Sequence, residues 1–341
     1  MKRLVALSCL LLLSSVPIIG CIGFDDGEII KILHAGSLSG PFSELERKFE
    51  EEYPDMEVRR EMAGSVETVR KITDQGQEAD IVGVADYSLI SDLMYDDYAS
   101  WTIEFATNSM ALAYTEDSNH ADEITSNNWF EILQREDVKF GFSSPNHDPC
   151  GYRSQMVIRL TQEHYEEEDL FEKLIEGYTD IREEEGQITV PENLNHDVSK
   201  IMVRPAEMEL IYALETGDID YLFIYQSVVQ QHENLDMVSL DPEIDLGSPE
   251  LAEFYGNVSL TMSTGKTIVA QPIVYGITIP TTVRNVEGAE FFIEFLLSES
   301  GKEVIQDMGQ EPVDPAIVDN IEEIPEELRG FVLEKNSGDD P

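Results

Sequence analysis

Apolar runs that read as strands, each followed by a stretch with helical spacing, constrain this chain more than any other feature. "EIIKILHAG" (28–36) reads as a buried strand, and "PFSELERKFEEEYP" (41–54) as a helix with an apolar stripe at Phe42, Leu45 and Phe49. "DMEVRREMAG" (55–64) then predicts a strand, "SVETVRKITDQG" (65–76) a helix ended by Gly76, "ADIVGVAD" (79–86) a strand and "YSLISDLMYDDY" (87–98) a helix. "FATNSMALAYT" (105–115) alternates as one strand leaving this first unit. A second set follows: a helix near 128–134, a strand at 138–142, helices at 149–164 and 168–178, a strand at 187–190, a helix at 205–216 and a strand at 219–225. Residues 232–270 are less regular, and the chain closes with "PIVYGITIP" (272–280) and helices at 287–298 and 299–308. Such alternation predicts an α/β protein with parallel sheets covered on both faces. Two units with a strand near each junction predict two lobes around a cleft, with 28–110 plus 272–330 in one and 111–271 in the other. The acidic stretches "YEEEDLFEK" (165–173) and "REEEG" (182–186) read as solvated helix faces.

The first residues stand apart from this pattern. Lys2 and Arg3 precede an apolar run from Leu4 to Ile19, which reads as a signal peptide over residues 1–21 rather than a membrane span. "IIGC" before residue 22 has the form of a lipoprotein signal, which would leave Cys21 lipidated; ordinary cleavage nearby is the alternative. The expected location is the extracellular face of the cell membrane, anchored or secreted. Of the cysteines Cys9, Cys21 and Cys150, the last has no partner if Cys21 carries lipid, so no disulfide framework or sulfur-ligated zinc is expected.

The 22 Lys and Arg face 69 Asp and Glu, a formal net charge of −47. The acids are dispersed along a chain of ordinary apolar content. That argues against nucleic acid as partner and for a high-salt setting, where screening over a few ångströms removes the self-repulsion.

In open α/β sheets ligands sit beyond the carboxyl ends of strands, where helix starts offer free N–H groups. Four stretches have that form: "HAGSLSGPF" with Ser37, "MAGSVET" with Ser65, "NHDPCGYR" with Asp148, and "VRPAEMEL" with Glu207 in a first turn opened by Pro205. Each has a plainer reading. Ser37, Ser65 and Asp148 also fit as helix caps, Glu207 is favourable near any helix N-terminus, and Tyr225 at the end of "DYLFIY" fits a core position.

In this order, "HAGSLSGPF", "EMAGSVETVRKITD", "ADIVGVADYSLI", "FATNSMALAYT", "DPCGYR", "RPAEMEL", "GDIDYLFIYQSV" and "PIVYGITIP" resemble the tungstate/molybdate-binding proteins of ABC transporters, in particular the archaeal-type ones. The resemblance covers essentially the whole mature chain, including "FLLSESGKEVIQDMGQEPVDPAI". It implies a two-lobed periplasmic-binding-protein (type II) fold with the ligand in the cleft, and no enzyme activity or cofactor. The implied partners are an ABC permease and its ATPase subunit, with the binding protein a monomer. It further implies that Ser37, Ser65 and Tyr225 donate hydrogen bonds to oxyanion oxygens, while Asp148 and Glu207 bind the metal atom itself. Glu209 is the fallback for Glu207, and Arg153 reads as a buried structural pair rather than a ligand contact.

Carboxylates in an anion site need a reason. At 4 Å a carboxylate–oxyanion pair costs about 4 kcal/mol at an effective dielectric near 20. Protonation of the carboxylate is one escape. The other is direct bonding to a d⁰ tungstate or molybdate centre, which expands from four to six oxygens where sulfate and phosphate do not. The scarcity of Lys and Arg around the four turns predicts no formal positive charge there beyond Arg153. Three other readings compete: a sulfate- or phosphate-binding relative, a cation-binding protein using the paired acids, and a hydrolase. The last lacks the G-x-S-x-G elbow.

Overall fold

A computed structural model of the chain describes residues 29–335. Residues 1–21, expected as a signal segment, and Cys21 among them lie outside the described residues. No described helix is long and apolar enough to cross a membrane.

Three sheets carry the described fold. The seven-stranded sheet runs in the order Val332–Glu334, Glu311–Val318, Ile103–Asn108, Ile273–Thr278, Ile81–Val84, Ile29–Ala35, Glu57–Ala63. The five-stranded sheet runs Asp236–Ser239, Met110–Tyr114, Tyr221–Tyr225, Phe140–Ser143, Ile201–Arg204. A four-stranded sheet of short strands takes its members from Arg182–Glu184, Gln187–Thr189, Ser259–Thr261 and Thr267–Val269.

The sheets are mixed, where the alternation predicted parallel ones. Ile29–Ala35 is parallel to Glu57–Ala63 and Ile81–Val84, but Ile273–Thr278 pairs antiparallel with both Ile81–Val84 and Ile103–Asn108. In the second sheet Phe140–Ser143 is parallel to both neighbours, and Met110–Tyr114 is antiparallel to its own. The reason lies in the connections: strands that cross from one sheet to the other arrive without an intervening crossover helix, and only such a helix obliges parallel pairing. The stretch 105–115, expected as one strand, is therefore two, broken at Ser109, each in a different sheet.

Helices cover the sheets through apolar stripes. Ser39–Glu52 buries Phe42, Leu45 and Phe49 as expected, and Phe42 and Phe49 each meet Phe292 edge-on. Val286–Leu297 starts at Asn285, whose side chain accepts from the Gly288 N–H, and Glu299–Asp307 starts at Ser298 in the same manner. Two expectations fail. Residues 182–186 form a β-hairpin turn, with Glu185 and Gly186 at φ 51 and 86, instead of a helix face. The acidic run from Tyr165 is interrupted by positive φ at Glu166 and Asp169, and the helical turn beyond it is a π-helix at Glu172–Glu176.

His34 sits in the seven-stranded sheet, 1% exposed, with its ring against Phe42 and Nδ1 2.8 Å from the Ala35 carbonyl. Burial lowers its pKa to about 4, opposed by the Ala35 carbonyl and helped by Arg60. The folded state therefore holds the ring neutral while the unfolded chain takes up a proton below pH 6.5. Stability from this residue is fully present above pH 6.5 and is lost as pH falls towards 4, by about 3 kcal/mol. Denaturant melts at pH 7 and 4 are expected to show a smaller acid loss in His34→Gln than in the wild type; parallel losses contradict the assignment.

Candidate functional site

The parallel strands of the two larger sheets bring their carboxyl ends together. Ala35 ends one strand and leads to Ser37 in the short 3-10 turn Gly36–Leu38; Ala63 ends another and leads to Ser65, the first residue of the helix Ser65–Thr73. From the other sheet, Ser143 leads to Asp148, Arg204 to Glu207, and Tyr221–Tyr225 ends on Tyr225 itself. Ser37, Ser65, Asp148, Glu207 and Tyr225 are each at most 2% exposed. Glu209, the fallback, is exposed, where Glu207 is buried. The helix after Pro205 starts only at Met208, so Glu207 precedes its first turn.

Contacts tie the five residues into a closed ring. The Ser37 N–H faces the Glu207 carboxyl, and the Glu207 N–H donates to Asp148 Oδ2 at 3.0 Å. Asp148 Cβ lies 3.2 Å from where a Cβ on Gly64 would stand, beside Ser65. Ser65 Oγ accepts from the Ala85 N–H at 3.0 Å, and the Ala85 carbonyl accepts from Arg153 Nη1 at 2.7 Å. The same Nη1 donates to the Tyr225 hydroxyl at 2.8 Å. The Tyr225 ring lies 6.2 Å from that of Tyr275, whose hydroxyl donates to Ser37 Oγ at 3.1 Å.

The directions of these bonds set the chemistry. The hydroxyls of Ser65, Tyr225 and Ser37 each accept one hydrogen bond, from Ala85, Arg153 and Tyr275 respectively. Tyr275 gives its one proton to Ser37, and its oxygen accepts from Asn108 Nδ2 at 2.9 Å. Each of the three hydroxyls keeps its proton to give away. Burial pushes the Tyr225 phenol well above its usual value, so that proton stays on. A ligand that only accepts suits such a site.

The two acids stand side by side in this ring. Asp148 caps the helix Pro149–His164, its Oδ1 accepting from Cys150 N–H at 3.2 Å, while Oδ2 serves Glu207. Glu207 Oε2 is buried with no partner among the described residues. Burial, then the charge of Asp148 and a hydrogen bond with it, hold the Glu207 carboxyl well above the usual carboxylate range; the N–H groups of Glu207 and Ser37 oppose this. An orphaned buried carboxyl oxygen needs a partner, since leaving it unmet costs about 1–3 kcal/mol or more. The positive charge nearby is spent: Arg153 Nη2 is 3.5 Å from Asp86 Oδ2, both groups being at most 2% exposed.

The rest of "DPCGYR" packs the start of this helix against the strand. Cys150 is fully buried, its Sγ 3.6 Å from the Phe223 carbonyl. A Cβ on Gly151 would overlap the Ser143 carbonyl, so only glycine lets the helix start so close to the strand. Gly151→Ala gains about 1 kcal/mol of helix propensity, but the obstacle is backbone that cannot rotate away, and overpacking costs about 1–3 kcal/mol or more. A lower melting temperature is expected; an unchanged or higher one contradicts the close approach. Tyr152, Asp86, Tyr275, Gly36 and Gly64 carried no site assignment in the sequence. The two glycines sit at the same βα turns as the serines, and Asp86 at the next one, after the strand Ile81–Val84, which is the signal that marks them.

Over residues 30–311 the chain matches the family described as bacterial extracellular solute-binding protein. It is 45% identical over 330 residues to the molybdate/tungstate-binding protein WtpA of Pyrococcus abyssi, covering 92% of this chain and 94% of that one. It is 43% identical over 309 residues to the protein of the same name from Thermococcus kodakarensis, covering 88% and 86%. Among solved structures, the periplasmic molybdate-binding protein of Azotobacter vinelandii superposes with a TM-score of 0.58 at 14% identity, over 82% of this chain and 98% of that one. The sulfate-binding protein SubI of Mycobacterium tuberculosis gives 0.57 at 14% identity, over 84% and 88%. At such identities these structures speak for the fold alone, the two-lobed one of periplasmic binding proteins.

Proposed function

This chain belongs to the family of bacterial extracellular solute-binding proteins, and from that premise we propose that it captures tungstate or molybdate in its cleft for delivery to an ABC permease and its ATPase. The observation that carries the reading is Glu207 Oε2, buried without a partner beside Asp148, at the point where the Ser37, Ser65 and Tyr225 hydroxyls keep their protons. In this reading those hydroxyls donate to the oxyanion oxygens, and Asp148 and Glu207 bind the metal centre, raising it from four oxygens to six. The metal enters as cargo, and no catalytic step is assigned.

Electrostatics separates this from the sulfate or phosphate reading. Sulfur cannot take either acid as a ligand: an ionised one costs about 4 kcal/mol per pair at 4 Å, a protonated one contributes a single hydrogen bond, and Arg153 is already matched by Asp86.

In the same reading, residues 28–110 with 272–330 form one lobe and 111–271 the other, the ligand bridges them, and the chain acts as a monomer. Residues 1–21 are a leader and Cys21 carries lipid, which holds the protein at the outer face of the membrane. The net charge of −47 suits a salty medium that screens its self-repulsion. Calorimetry of the mature chain in high salt tests the proposal: tungstate and molybdate are expected to bind and sulfate in large excess to compete poorly. Equal binding of sulfate contradicts it. Ser65→Ala is expected to lose roughly 1.5–3 kcal/mol of tungstate binding, the worth of a hydrogen bond to a charged group.

A further inference from the structure

Behind the ligand ring lies an ion pair that the oxyanion reading does not use. Asp86 follows the strand Ile81–Val84 of the seven-stranded sheet, while Tyr152 and Arg153 lie on the helix Pro149–His164, which packs on the other sheet. Asp86 divides its two oxygens between two tasks. Oδ1 accepts from the Ser88 N–H at 3.1 Å and the Ser88 hydroxyl at 2.8 Å, within its own turn. Oδ2 crosses to the other side, accepting from the Tyr152 hydroxyl and lying 3.5 Å from Arg153 Nη2. All three residues are at most 2% exposed.

We propose, building on the oxyanion reading above, that Asp86, Tyr152 and Arg153 form a latch between the lobes that shuts with the cleft and sets how long the ligand stays. When the lobes part, both charges return to water. When they close, both lose it, and a buried pair of this kind is close to neutral against its solvated state. Its value is therefore geometric: the closed form is tolerable only when both charges arrive in register. Arg153 connects the register to the ligand. One guanidinium nitrogen holds the Ala85 carbonyl, whose own N–H orients Ser65, and the Tyr225 hydroxyl. The planar fork reaches Asp86 with its other nitrogen, which a lysine has no means to copy. Arg153 is thus a positioning residue for two donors, one from each side, and their protons are aimed only while the latch is shut.

The test compares Tyr152→Phe, which removes one hydroxyl and keeps the ring, with Asp86→Asn, which keeps the Oδ1 acceptor for Ser88. Tungstate release is followed by stopped flow, association in the same experiment, and melting without ligand separately. Release is expected to quicken roughly tenfold in Tyr152→Phe, from loss of a hydrogen bond to a charged group, and at least about 100-fold in Asp86→Asn, which leaves Arg153 buried unpaired. Association is expected to stay within about twofold, and ligand-free melting to hold, because the open form does not use the pair. Unchanged release, or lowered ligand-free melting with release unaltered, overturns the latch and makes the pair ordinary core. A wild type that binds neither tungstate nor molybdate overturns the oxyanion reading instead. The latch is then read by the release of sulfate or phosphate, whichever the wild type does bind, with the same ratios expected between the variants; unchanged release, or a wild type that holds neither, overturns it.

Discussion

Glu207→Gln and Asp148→Asn are each expected to weaken tungstate binding by roughly a hundred- to several-thousand-fold, about 3–5 kcal/mol, while leaving the fold intact. The two properties move apart because, in the proposed reading, the acids serve the ligand more than the chain. Asn at 148 keeps one oxygen to cap Cys150 but turns its amide onto the Glu207 N–H that Oδ2 served, so ligand-free stability falls modestly, by about 1–3 kcal/mol, less than the loss in affinity. Gln at 207 replaces a carboxyl that burial and Asp148 already hold against ionisation, so ligand-free melting is expected to hold or rise. A residue kept for stability behaves the other way, with lower melting and full affinity. Calorimetry and ligand-free melts on the same preparations separate the two outcomes.

Gly64→Ala is expected to cut affinity about 10- to 100-fold with no loss of ligand-free stability. Gly64 has φ −60 and ψ 144, a conformation any residue adopts, so alanine meets no backbone strain there. Its Cβ would stand 2.5 Å from the His147 carbonyl and 3.2 Å from Asp148 Cβ, atoms that belong to the opposite side of the cleft. The overlap exists only when the cleft is shut, and overpacking against backbone costs about 1–3 kcal/mol. In the open form alanine lowers the entropy of the unfolded chain and contributes about 0.4–1 kcal/mol. Affinity falls while melting without ligand rises slightly. A variant with full affinity shows that the turn at Gly64 does not approach Asp148 when ligand binds.

The parts of the structure that follow from local periodicity were legible in the chain. The stripe Phe42, Leu45, Phe49 and the helix from Pro149 to His164 lie where spacing and the Asp-Pro start predict them. Alternation cannot tell when a strand changes sheets, because the side-chain period runs on unbroken through Ser109. The strand Glu311–Val318 was hidden by Pro312 and Pro315; it tolerates them because its pairing with Ile103–Asn108 is broken by a register shift between Pro312 and Ile317. The first arm and turn of the hairpin, 182–186, were read as a helix face because their acids masked the turn signal of Gly186, while the second arm, Gln187–Thr189, falls in the strand expected at 187–190.

The site divides along the same line. Ser37, Ser65, Asp148 and Glu207 stand at turns whose form is visible in one dimension, and the family resemblance supplied the roles. Asp86, Tyr152 and Tyr275 act through partners 66, 66 and 238 positions away, and no local pattern marks a residue whose meaning lies across a cleft. Arg153 read as a buried structural pair, and the structure gives it Asp86 as that partner and Tyr225 as its link to the ligand ring.

X-ray absorption at the tungsten edge of the bound wild-type protein tests the central claim most directly, since it counts the oxygens around the metal. If Asp148 and Glu207 each contribute one, the spectrum shows six oxygens, and Glu207→Gln loses the sixth. Four oxygens in a tetrahedral spectrum, with the wild type saturated, would contradict the account and return both acids to the roles of cap and buried neighbour.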